Sequence, residues 1–208
     1  MKSQFRLFTT FFATLLIVSA CANDGRELKA PGPGQGESIA ILTTTTEPSP
    51  DVISENVFSV TGTWIQNGAL DPRHTCKGAN ISPALTIANV PEGTKSLAIT
   101  LFDVINPQQP LWVVANIDPT SNLIKEGGIP DGAIAGAGFN GDKILDGYNG
   151  PCVADKEIHE FVLTVSALDQ LLEFTPEPMS LSSSQLLAET IQASAFAVAE
   201  TRFLIQNP

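Results

Sequence analysis

The sequence predicts a mainly β domain, a two-sheet antiparallel sandwich with one C-terminal helix and short helical turns. Three observations predict it. Short apolar or alternating runs recur along the chain, turn signals separate them, and one stretch alone has convincing helical spacing.

Phe58-Ser59-Val60-Thr61 alternates apolar and polar residues, as a half-buried strand does. Ser96 to Phe102 is a nearly continuous apolar run before Asp103 and reads as a central strand. Leu111 to Ile117 reads as a second, Glu160 to Ala167 as a third, and Thr201 to Ile205 closes the chain. Pro91-Glu92-Gly93, Asn106-Pro107, Gly127-Gly128 and Gly138 to Gly141 are the turns between them. Ser184 to Ala199 carries alanines and leucines at helical spacing, and Asp169 to Leu172 fits a helical turn. Trp64 and Trp112 read as core, and Gly132, Gly136 and Gly138 as a loop rim. No Lys-Ser/Thr pair opens a helix after those glycines, as a phosphate cradle requires.

The fold begins well after the N-terminus. Lys2 and Arg6 give residues 1–20 a basic start, and Leu7 to Val18 is apolar apart from threonines and too short for a permanent membrane span. The segment has the build of an export signal. Val18-Ser19-Ala20-Cys21 resembles a bacterial lipobox, in which small residues fit the peptidase and the cysteine sulfur takes a diacylglycerol. The alternative is an ordinary signal cleaved near Ala20. Ala22, in place of Asp, resembles sorting to the outer membrane. Residues 21–53 read as a disordered tether rich in Pro, Gly and Thr, with Ile39 to Leu42 its apolar patch. Residues 54–208 are enough for one domain with a real core.

The chain has 11 basic and 22 acidic residues. Removing Lys2 and Arg6 with the signal leaves a net charge of −13. That sign argues against nucleic-acid binding, which needs basic patches facing phosphates. It also argues against adhesion to anionic lipid other than through an anchor.

Two segments about seventy residues apart carry a family resemblance: Thr75-Cys76-Lys77-Gly78-Ala79-Asn80-Ile81-Ser82-Pro83 and Gly147-Tyr148-Asn149-Gly150-Pro151-Cys152. Val90 to Ala98, Phe58, and His159 to Asp169 fall in the same order. Together they resemble the phosphatidylethanolamine-binding family, in its bacterial Raf-kinase-inhibitor-like branch. The resemblance implies that family's sandwich and a small anion pocket at the strand ends.

On this resemblance the pocket residues are Asp103, His159, Gly150 and Pro151, lining one shallow cavity. The family's Asp-Pro-Asp-Ala-Pro is Asp103-Val104-Ile105-Asn106-Pro107 here, so the second acid is lost. Leu111 stands where the family has histidine, and Phe161 where it has tyrosine. Two hydrogen-bond donors are thereby missing. Charge-assisted bonds contribute roughly 1.5–3 kcal/mol each, so anion affinity falls by about two or more powers of ten. The wall becomes more apolar, which favours a neutral ligand or none. Asp169 reads as a turn or helix cap.

Cys76 and Cys152 lie in the two matched loops and, after export, meet an oxidising compartment. A structural disulfide is the preferred reading. A zinc site from His74, Cys76, Cys152 and His159 competes with it, and so does a cysteine nucleophile with His159 as base.

The resulting expectation is a lipid-anchored module of the bacterial cell envelope, at the outer membrane and facing the periplasm. It would bind a small phosphate ester or neutral ligand, or an unidentified protein partner, with no catalytic residues, cofactor, metal or nucleic acid. The alternatives are an interaction or structural lipoprotein with a vestigial pocket, and a hydrolase using Asp103 and His159.

Overall fold

The computed structural model describes residues 56–206. The expected signal of residues 1–20, the expected anchor at Cys21 and the expected tether of residues 21–53 lie outside the described residues.

The described residues form a mainly β fold with a single α-helix. β1 (Ser59–Thr61), β3 (Leu85–Ala88) and β6 (Leu123–Ile124) make a small antiparallel sheet in the order β1-β3-β6. The large sheet runs β2-β11-β10-β4-β5-β7. Its strands are β2 (Gly68–Ala69), β4 (Ser96–Asp103), β5 (Asn106–Ile117), β7 (Ile134–Ala135), β10 (Ile158–Leu168) and β11 (Ala195–Gln206). β8 (Gly138–Asn140) and β9 (Lys143–Leu145) form a separate hairpin. One pairing departs from the antiparallel expectation: β2 runs parallel to β11, with Phe203 opposite Gly68.

The apolar runs are explained by burial on both faces of the large sheet. Leu97, Ile99 and Leu101 of β4 join Trp112, Leu163, Val165 and Phe203 in the core facing the small sheet, with Trp64 and Leu85. Ala98, between them, turns to the opposite face, where Val113, Ala115 and Leu168 pack under Leu187 and Ile191 of the helix. Both tryptophans are core, as expected.

The helix α1 spans Leu181–Ser194 rather than Ser184–Ala199. Ser180 supplies the earlier start, its hydroxyl accepting from the Ser183 amide at 3.2 Å. The earlier end has a tertiary cause. Ala197, Val198 and Ala199 pair with Ala167, Ser166 and Val165 of β10, and this ladder overrides the helical propensity of alanine. Asp169 and Gln170 form a bend and Leu171 and Leu172 are irregular, so the stretch is not a helical turn. Asn116 holds that stretch open by bonding the Leu172 amide (2.8 Å) and carbonyl (3.0 Å). Asp169 is an exposed bend residue and caps no helix. A short 3-10 turn occurs instead at Pro72–His74, where Asp71 accepts from the Arg73 amide.

Candidate functional site

The two segments that carry the resemblance meet in space. Cys76 and Cys152 are joined as a disulfide, with Cα atoms 5.2 Å apart. The Cys76 amide donates to the Pro151 carbonyl at 3.1 Å. Tyr148 donates its hydroxyl to the His74 carbonyl at 2.6 Å, and the Gly150 amide donates to Asn80 Oδ1 at 2.7 Å. Asn80 presents that oxygen from a left-handed backbone, φ 54°. Gly150 is required by close approach, since a Cβ there would lie 2.2 Å from the His74 carbonyl oxygen. Burial raises the Tyr148 pKa well above the usual phenol range, so the hydroxyl stays a donor.

This clamp answers the zinc and nucleophile alternatives. Paired cysteines offer neither a thiolate ligand nor a nucleophile. His74 is fully buried, with Nδ1 on the Ile81 carbonyl (2.9 Å) and Nε2 accepting from Arg73 Nε (3.3 Å), so both ring nitrogens are taken up within the core.

Beside the clamp, strand register brings Asp103 and His159 together. β4 ends at Asp103, directly opposite Phe161 of β10, and His159 lies two residues earlier on the same strand face. His159 is 9% exposed. Its Nδ1 lies 2.8 Å from Asp103 Oδ2, and its Nε2 lies 3.2 Å from both carboxylate oxygens of Asp155. The ring is therefore held between two carboxylates. Each carboxylate is fixed in turn by an amide two residues on, Asp103 by Ile105 (3.1 Å) and Asp155 by Glu157 (3.0 Å). Burial pulls the His159 pKa down, but the hydrogen bonds and charges of Asp103 and Asp155 act the other way and win. The imidazole is held above its ordinary range, with both N–H groups donating to carboxylates when it is protonated.

These side chains line a cavity of about 290 Å³. Leu111 (3% exposed), Phe161 (2%), Phe139 and Val153 make its apolar wall, and Asn106, Gln109 and Asn140 add amides. Of the four residues expected in the pocket, Asp103 and His159 line it together. Gly150 and Pro151 are not among its lining residues. Gly150 is locked in the clamp, and Pro151 borders a separate cavity of about 410 Å³ with Cys152, Leu204 and Ile205. Asp155 is the site residue that sequence reasoning missed. Its signal was its place four residues before His159, but the loop between them has no regular period to show that the two side chains meet.

The phosphatidylethanolamine-binding protein family model matches residues 61–205. The chain belongs to this family. YbcL of Escherichia coli K12 is 34% identical over 164 residues, covering 69% of this chain and 84% of that protein. A protein of Methanothermobacter thermautotrophicus is 37% identical over 116 residues, 52% of this chain and 74% of its own length. The crystal structure of E. coli YbcL superposes with a TM-score of 0.62 at 29% identity, over 73% of this chain and 99% of that one. The phosphatidylethanolamine-binding protein homologue CT736 of Chlamydia trachomatis gives 0.61 at 25%, over 74% and 99%. Within this family fold, the pocket around His159 keeps one acid and one histidine of the donor set implied by the resemblance. It adds an acid at Asp155 and has Leu111 and Phe161 where polar groups were expected.

Proposed function

We propose that this chain is an envelope-anchored, periplasm-facing binding protein of the phosphatidylethanolamine-binding family, without catalysis, whose pocket has weakened affinity for anions. One observation carries the pocket reading: both nitrogens of His159 are engaged by carboxylates, Asp103 and Asp155. A phosphate in this cavity meets two negative side chains and one positive one, and the imidazole N–H groups are already directed elsewhere. The anchor reading is supported by the basic start, the apolar run, Val18-Ser19-Ala20-Cys21 and the spacer that follows. The same geometry weighs against a hydrolase. A histidine base oriented by Asp103 through Nδ1 would take a proton at Nε2, and Asp155 holds that atom.

Calorimetry of inorganic phosphate and phosphoethanolamine at about pH 5.5 and pH 8 tests the reading. The expected affinity is millimolar, about −4 kcal/mol. Micromolar phosphate binding that is insensitive to pH would overturn it.

A further inference from the structure

The pocket's polar groups can be sorted by what they still offer a ligand. Its strongest donor, the His159 imidazole, has both nitrogens on carboxylates. Asn140 gives an amide N–H to the Gly150 carbonyl (2.8 Å), and Asn106 gives one to Gln109 Oε1 (3.0 Å). Gln109 keeps its neutral amide N–H pair. The carboxylates are less fully used. An ionised carboxylate offers about four acceptor positions, and Asp103 has two partners, His159 and the Ile105 amide. The charges agree with this census. Asp103 and Asp155 with protonated His159 sum to one negative charge, and to two when the imidazole is neutral. Beside them Leu111, Phe139 and Val153 form an apolar wall, and about 290 Å³ admits a chain of a few carbons.

We infer that this cavity selects a small primary alkylammonium, its charged nitrogen against Asp103 and Asp155 and its alkyl chain against Leu111, Phe139 and Val153. The inference rests on the binding-module reading and gives it a ligand class opposite in sign to phosphate. The ligand's ammonium donates into the acceptor positions the two carboxylates still offer and leaves the Asp–His–Asp array intact. An anion reaches the imidazole N–H groups only by displacing one of the two carboxylates from the ring, and otherwise meets neutral amides alone.

The test uses the full-length chain and four probes: n-propylammonium, n-propanol, propionate and inorganic phosphate. The first three share a three-carbon skeleton and differ in charge. The readout is the imidazole NMR signals of His74 and His159, the chain's two histidines. His74 is buried in the clamp and serves as the internal control. Propylammonium should shift His159 alone and bind about five- to tenfold more tightly than propanol, the scale of one partly screened ion pair. Asp155→Asn should bring that ratio close to one while propanol affinity holds. Equal affinity for propylammonium and propanol, or no shift of His159 by propylammonium at tens of millimolar, overturns the ligand assignment and leaves the weak-anion reading standing. Phosphate or propionate binding tighter than propylammonium overturns the ligand assignment, and phosphate binding at micromolar affinity that is insensitive to pH overturns the weak-anion reading as well.

Discussion

The Gly150 amide donates to Asn80 Oδ1 across 2.7 Å and joins two stretches seventy residues apart in sequence. Gly150 can approach this closely only because it lacks a Cβ, the His74 carbonyl oxygen lying 2.2 Å from where one would be. Gly150→Ala should therefore displace the loop and cost about 1–3 kcal/mol, the usual range for overpacking a close contact. Asn80→Ala should cost a similar amount by leaving the amide without its acceptor. Urea unfolding measures both. An alanine at 150 without effect would mean that the loop has slack at His74.

The disulfide beside this contact closes a long loop, its cysteines 76 residues apart. The chain-entropy model gives about 4.5 kcal/mol for a loop of that size. Reduction, or paired Cys76→Ser and Cys152→Ser substitution, should lower stability by that order. A chain processed and acylated at Cys21 should show no free thiol when denatured without reductant. An unprocessed one should show a single thiol from Cys21. Additional thiols would mean that Cys76 and Cys152 are not paired.

How much of this was legible differs by element. The central strands were legible because Ser96 to Leu101 and Leu111 to Ile117 are buried on both faces and leave a local apolar signature. The end of α1 was not, because Ala195, Ala197 and Ala199 are helix formers whose strand state is imposed by pairing with β10. The approach of Asp103 and His159 followed from matched strand ends. Gly150 and Pro151 matched the same family segment, but their part in the clamp depends on contacts with His74, Asn80 and Cys76 that no local pattern encodes. Asp155 was hidden because its loop meets His159 through the chain's path, not through a period.

His159 should titrate above its ordinary value of roughly 6.5. Burial opposes this, but the hydrogen bonds and charges of Asp103 and Asp155 outweigh it. Because the folded-state pKa is the higher one, the group's contribution to stability is fully present below the unfolded value. It is lost as pH rises from about 6.5 through the folded value. Imidazole shifts followed against pH give the midpoint. Asp155→Asn should move it down, and a midpoint unchanged in that variant would show that Asp155 exerts no field on the ring.

The anchor has its own test. Incorporation of labelled palmitate should occur in the wild-type chain and vanish in Cys21→Ser, with the wild type in the membrane fraction. More than one acyl chain gives stable attachment where one is marginal. Equal labelling of both chains would rule out Cys21 as the acylated residue.

The last prediction rebuilds the pocket. Leu111 and Phe161 both line the His159 cavity while being almost fully buried, so polar groups placed there face either the cavity or a dry wall. Phe161 stacks on Phe203 with ring centroids 5.3 Å apart and 13° between planes, which fixes the direction a hydroxyl at its tip would take. Leu111→His with Phe161→Tyr adds two donors, each contributing roughly 1.5–3 kcal/mol to a charged acceptor. In the wild-type background the Asp155 charge opposes the gain, so phosphate affinity should rise only modestly. With Asp155→Asn added, it should rise by about two powers of ten. Calorimetry with phosphate on the double and triple variants separates donor loss from added charge. A double variant already as tight as the triple would show that Asp155 has no part in excluding anions. A triple variant no tighter than wild type, yet folded, would show that positions 111 and 161 do not direct their side chains at the ligand.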